Sequence, residues 1–219
     1  MSRPIRTVIL NGSLARPSKT RGLLDAIHAQ LHTQLPLETV HIDLVDLVQD
    51  IGAHLWRDKL PATALHALKT IEGANFLILG SPVFRGSMPG LFKHLFDLID
   101  SPTMLGKPVL LAATGGSQRH ALVIEHQIRP LLAFFQTLTL PVGVYASEED
   151  FQDGKLQSKA VTDRIQLAIK TTVSVLQSQP VLVQQTNESS GFSKIDLLPQ
   201  NTFHLNEPAR QKPQAFTLE

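Results

Sequence analysis

The sequence contains no cysteine. That excludes disulfides, thiolate nucleophiles and cysteine-ligated metal sites. An excess of one charge is missing too: 20 Lys and Arg stand against 19 Asp and Glu, a formal net charge of +1. With no basic stripe, nucleic acid is not an expected partner. No apolar run approaches the roughly 20 residues of a membrane span. Met1-Ser2-Arg3-Pro4 leads straight into a strand-like run without a secretory pattern, so a cytoplasmic location is expected. No internal repeat stands out. What is present is an ordinary apolar fraction, 42% of the chain, enough for a full core in one domain.

Strand-like and helix-like runs alternate. Thr7 to Asn11 is an apolar strand, followed by a helix starting near Ser18 or Thr20, with Leu23, Leu24, Ile27 and Leu31 on one face. Thr39 to Leu44 alternates as a second strand, and residues 45–60 read as loop with short helix. A helix over Thr63 to Glu72 precedes Asn75 to Gly80, a strand apolar on both faces. Pro89 to Ile99 is the next helix, and Lys107 to Thr114 the next buried strand. Ser117 to Leu138 reads as one long helix crossed by Pro130. Pro141 to Ala146 is a short last strand, and Gly154 to Gln177 a final amphipathic helix.

Such alternation implies right-handed crossovers and an α/β, doubly wound, five-stranded parallel sheet of order 2-1-3-4-5. The domain is expected to cover residues 1–178. Residues 179–219 are richer in Gln, Asn, Ser and Pro yet keep several Phe, Ile and Leu. They read either as an extension lying across the body or a partner subunit, or as a mobile tail.

The first strand stops in Asn11-Gly12-Ser13-Leu14-Ala15-Arg16-Pro17-Ser18-Lys19-Thr20. Gly12 gives room for close approach, Ser13, Ser18 and Thr20 give hydroxyls, and the helix start gives free N–H groups and a positive dipole end. Arg16 and Lys19 add charge. The spacing matches neither G-x-x-x-x-G-K-[ST] nor G-x-G-x-x-G. Taken alone, the segment is either a phosphate cradle or an ordinary strand–helix turn. The third strand stops in Ser81-Pro82-Val83-Phe84-Arg85-Gly86-Ser87, a stiff edge suited to a flat ring. The fourth stops in Ala113-Thr114-Gly115-Gly116-Ser117. Three such loops on one sheet edge point to a nucleotide site, and the details favour flavin mononucleotide.

These segments resemble the NAD(P)H-dependent FMN reductases of the flavodoxin-like superfamily over roughly residues 5 to 178. The family pattern G-S-x-R-x-x-S-x-T, then G-S-P-V-Y-x-x-S-x-P-G-x-L-K, then A-T-G-G meets Gly12 to Thr20, Gly80 to Lys93 and Ala113 to Gly116. The resemblance implies that Ser13, Arg16, Ser18 and Thr20 hold the FMN phosphate. It implies that Pro82, Val83, Phe84 and Arg85 border the isoalloxazine, and that Thr114, Gly115, Gly116 and Ser117 face its pyrimidine side. Phe84 stands where Tyr is common, so any role for that hydroxyl is lost.

The run from Gly115 to Pro130 looks closest to reductases paired with alkanesulfonate or methanesulfonate monooxygenases. Those carry an inserted residue that makes a π-bulge, a feature frequent at functional sites. His126 is the candidate for it; the alternative is an ordinary surface or interface histidine. The implied activity is NADH- or NADPH-dependent reduction of FMN, with the reduced flavin supplied to a partner monooxygenase. A quinone- or azo-type reductase that keeps its FMN, and a flavodoxin-like electron carrier, are the alternatives. The flavin carries the chemistry, so no side chain is nominated as acid or base, though backbone N–H groups near Phe84 and Arg85 suit a charged reduced ring.

A homodimer or homotetramer is expected from the apolar Phe92, Leu95, Phe96, Phe134 and Phe135. His28 and His32 have metal-ligand spacing but no acidic third ligand nearby. Glu148, Glu149, Asp150 and Asp153 read as a solvated acidic loop, and no metal is expected. Ser13 lacks a G-x-S-x-G elbow, which argues against a hydrolase.

Overall fold

A computed structural model describes residues 4–178, and the expectations for residues 179–219 lie outside them. Strands β1 (Ile5–Asn11), β2 (Leu37–Asp43), β3 (Phe76–Pro82) and β4 (Pro108–Gly115) pair in parallel in the order β2-β1-β3-β4. The fifth position beside β4 is filled by two pieces, β5 (Leu138–Thr139) and β6 (Val144–Ser147). The sheet order expected from the sequence therefore holds, with its last strand broken.

Alternate residues of the central strands feed two separate cores. Val8, Leu10, Leu77, Leu79, Val109 and Leu111 pack on one face, against α2 (Val48–Gly52), α3 (Ala62–Gly73), α4 (Gly90–Asp97) and α5 (Arg129–Phe134). Ile5, Ile9, Phe76, Ile78, Leu110 and Ala112 pack on the other, against α1 (Lys19–His32) and α6 (Lys159–Ser178). Burial on both faces is why these strands read as unbroken apolar runs. Each fully buried large side chain contributes about 1.5–3 kcal/mol. Gly80 belongs to this packing, because a Cβ there would meet the Leu24 side chain at 2.8 Å.

Several expectations need correction. Between the stretches paired to β4, the fifth strand uses two more residues than its partner. Pro141 cannot donate to the ladder, and pairing stops there. Arg129 Nη1 and Arg164 Nε take up the carbonyls of Leu140 and Gly143 at 3.0 and 2.9 Å. The helix expected over Ser117 to Leu138 is also broken. A short 3-10 turn, Gln118–His120, comes first, then a π-helical segment, Ile124–Ile128, with His126 at its centre. From Arg129 the chain runs on as α-helix, with Pro130 in its first turn.

The start of α6 falls later than expected because residues before it form a hairpin, β7 (Phe151–Gln152) and β8 (Lys155–Leu156). Asp153 and Gly154 turn it with φ of 49° and 75°. The apolar face taken as a sign of oligomerisation is mostly the domain's own core. Phe92, Leu95, Phe96 and Phe135 are buried, and the Phe92 and Phe96 rings lie 5.2 Å apart. Phe134 alone of that set is exposed, at 74%. Among the described residues no helix is long and apolar enough to cross a membrane.

Candidate functional site

A cleft of ≈ 320 Å³ opens at the carboxyl ends of β1, β3, β4 and β6. Its volume is at the lower end of ligand pockets, roughly 300–1,000 Å³. The first loop lends it Ser13, Pro17, Ser18, Lys19 and Thr20, and β3 lends Pro82 and Val83. Thr114, Gly115 and Gly116 form another wall, and Ser147, Glu148 and Phe151 the last.

The first loop is shaped by Asn11. Its amide donates to Asp43 Oδ1 at 2.8 Å and its carbonyl oxygen accepts from the Ser13 N–H at 3.1 Å. Ser18 is the N-cap of α1, its hydroxyl accepting from the Arg21 N–H at 3.1 Å. The first N–H groups of α1 have no acceptor within the helix, so the cleft meets the positive end of a 14-residue dipole. Thr20 is buried and shares a 2.7 Å hydrogen bond with Thr114 Oγ1. That bond ties the first loop to the third at the floor of the cleft. The Val83 N–H donates to Thr114 O at 2.7 Å and joins the second loop to the same point.

The structure thus brings Ser13, Ser18, Thr20, Pro82, Val83, Thr114, Gly115 and Gly116 together. Other nominated residues sit elsewhere. Arg16 is exposed and turned to the rim, where its guanidinium donates to Asp46 at 2.6 and 2.7 Å and to Asp43 at 3.0 Å. Those hydrogen bonds and charges raise the Arg16 pKa, and Asp46 is lowered chiefly by the same hydrogen bond. Burial pushes Asp43 up, but the hydrogen bonds from Asn11 and Arg16 and the nearby Arg21 leave it below the usual carboxylate range.

Phe84 and Arg85 are exposed in a tight turn, outside the cleft lining. The Phe84 N–H donates to Ser87 O at 2.7 Å, so it is not available to a reduced ring. Arg85 and Gly86 both have positive φ there, 49° and 83°. Ser117 stands just beyond the lining, its carbonyl accepting from the Tyr145 hydroxyl at 2.6 Å. His126 is exposed within the π segment. Gly12 has a different role from the one expected. A Cβ there would meet Phe92 Cε2 at 2.8 Å and Gly80 O at 3.0 Å, so the missing side chain makes room for the core. By contrast, nothing lies within 4 Å of a Cβ placed on Gly116.

Sequence reasoning missed Pro17, Ser147, Glu148 and Phe151. The hairpin that carries Phe151 has a readable signal, Asp153-Gly154 between paired residues. Glu148 has none: its partner Lys19, at 2.5 Å, is 129 residues away. Glu148 begins a turn, Glu148–Asp150, capped by reciprocal bonds between Ser147 and Asp150. The His28, His32 and His41 rings cluster at 5.5 Å, but among the described residues no group of three or more His, Asp or Glu is placed to hold a metal.

The donor set suits a phosphate monoester, with hydroxyls and helix N–H groups at one end and a Pro/Gly-edged slot at the other. A family model described as NADPH-dependent FMN reductase matches residues 5–152. An NADH-dependent FMN reductase, SfnF, from Pseudomonas fluorescens (strain Pf0-1) is 53% identical over 77% of this chain and 90% of its own length. An FMN reductase (NADPH) from Pseudomonas aeruginosa is 49% identical over the same shares. The solved structure of an oxidoreductase from Corynebacterium diphtheriae superposes with a TM-score of 0.72 at 28% identity, covering 81% of this chain and 99% of that one. The cleft and these likenesses agree, and the chain belongs to the NADPH-dependent FMN reductase family of oxidoreductases, acting with FMN and a reduced nicotinamide nucleotide.

Proposed function

We propose that this protein reduces FMN at the expense of NADH or NADPH and supplies the reduced flavin to a partner flavin-dependent monooxygenase of sulfonate metabolism. The observation that carries the reading is the meeting of the loops after β1, β3 and β4 around one cleft. Ser13, Ser18 and Thr20, with the α1 N-terminus, would hold the phosphate. Pro82, Val83, Gly115 and Gly116 would border the ring, and the open side of Gly116 leaves space for it. Arg16 is not assigned to the phosphate, because Asp43 and Asp46 already occupy it. When bound, FMN supplies the hydride-accepting chemistry. The chain's own residues bind, orient and exclude water, and no side chain need move a proton. The test is loss of nicotinamide absorbance with purified protein and free FMN under air. Rapid oxidation that saturates with FMN is expected, and none with either nucleotide would sink the reading.

Thr20→Val should raise the FMN KM roughly five-fold through loss of one hydrogen-bonding hydroxyl, worth about 1 kcal/mol. An unchanged KM removes Thr20 from the phosphate site. Leu122 and Phe134, exposed at 60% and 74%, stand in sequence before and after the π segment that carries His126. We assign this face to a homodimer or homotetramer contact. Light scattering of the purified protein at micromolar concentration should give a multiple of the 24.1 kDa chain mass. A monomer there counts against the assignment.

A further inference from the structure

Each cation around the first loop is engaged by a carboxylate. Arg16 lies on Asp43 and Asp46, and Arg21 on Asp25 and Asp43. Lys19 Nζ lies 2.5 Å from Glu148 Oε1. Only the last pair belongs to the cleft, and both of its members line it. Lys19 opens α1 and Glu148 follows β6, so the sheet itself sets these two side chains across the opening. A phosphate arriving at the α1 N-terminus meets a lysine already paired with a carboxylate. The remaining attraction comes from hydroxyls and N–H dipoles, which hold an anion less firmly than a free ammonium would.

We infer that Glu148 is a flavin-release residue: its carboxylate competes with the FMN phosphate for Lys19 and keeps bound FMN exchangeable. The inference rests on the reading of this cleft as an FMN site. It gives a physical reason for flavin to behave as a substrate that leaves. Both side chains are exposed, Lys19 at 40% and Glu148 at 70%, so the effect is modest and screened by salt. The cap of the Glu148 turn is made by Ser147 and Asp150, so Glu148→Gln should leave the fold intact.

The experiment is a flavin-fluorescence titration of the full chain, wild type against Glu148→Gln, with FMN and with riboflavin, which lacks the phosphate. Glu148→Gln should bind FMN roughly five-fold more tightly and riboflavin unchanged. Glu149→Gln is the control. Glu149 is adjacent, accepts from Ser147 Oγ at 3.3 Å and stands outside the cleft lining, so its FMN affinity should stay at the wild-type value. Unchanged FMN affinity in Glu148→Gln overturns the inference. So does equal tightening toward riboflavin, or equal tightening in Glu149→Gln. Failure of the wild type to bind FMN at all removes the FMN reading, and this inference with it.

Discussion

Gly12→Ala should lose about 3 kcal/mol of folding stability, the upper part of the range for overpacking a core. The new methyl would lie 2.8 Å from Phe92 Cε2, closer still to Cδ2, and 3.0 Å from the Gly80 carbonyl oxygen. Neither neighbour can retreat. Gly80 O is fixed by the Gly12 N–H at 2.7 Å, and Phe92 is fully buried against Phe96. A domain of this size should melt roughly 10 °C lower. Combining Gly12→Ala with Phe92→Leu should cost less than the two changes added, because the smaller side chain receives the methyl. Thermal or urea unfolding decides the matter. Were Gly12 there for the ligand, Gly12→Ala would keep its melting point and lose only FMN affinity.

The second large effect is a rise of stability with pH. Lys107 is 4% exposed, and its ammonium donates to the carbonyls of Ile71 and Glu72 at 2.9 and 2.7 Å. Those carbonyls end α3, a favourable place for a cation. Burial nevertheless pushes the Lys107 pKa down from 10.5 to about 8. The folded chain releases this proton near pH 8, whereas the unfolded chain holds it until about 10.5. In that window the unfolded chain binds more protons, so stability increases with pH, by about 3 kcal/mol over the full interval. Below pH 8 the destabilising contribution is complete and constant. The measurement is the stability of wild type minus that of Lys107→Met, from urea unfolding between pH 7 and 10.5, which cancels the other titrating groups. A difference that stays flat across the window would refute the argument.

Much of this fold could be read directly from the chain because buried parallel strands are apolar on every residue and end in small residues. Val8 to Leu10 before Gly12, and Phe76 to Leu79 before Gly80, show both properties. The alternation of strands with helices leads to the doubly wound sheet order, and the loops that follow these strands line the cleft. What stayed hidden depends on distant partners. Nothing near Glu148 announces Lys19, and nothing near Arg16 announces that Asp43 and Asp46 would turn it away from the cleft. Phe92 reads as an apolar residue suited to another subunit, and only its distant neighbours at Gly12 and Phe96 place it in the domain's own core. The broken fifth strand was hidden for another reason. Pro141 marks a possible strand start equally well, and only pairing with β4 shows that the residues around it are extra. Periodicity does not reveal the π segment around His126 either, since one inserted residue leaves the apolar spacing on both sides intact.

The sheet's two oily faces carry a further consequence. In a half-solvated sheet, sliding a strand by one residue throws apolar groups into water, and polarity alone enforces alignment. Here both faces of β1, β3 and β4 are equally greasy, so such a slip exchanges one apolar side chain for another. Alignment must instead be read by bulk. Gly80 sits where Leu24 leaves no space for a methyl, and Gly12 where Phe92 leaves none. A one-step slip would drive Leu79 toward the first gap and Asn11 or Ser13 toward the second and jam them, as close-packed interiors tolerate little excess volume. These two absent side chains therefore act as alignment keys, specifying by shape a register that hydrophobicity leaves undetermined.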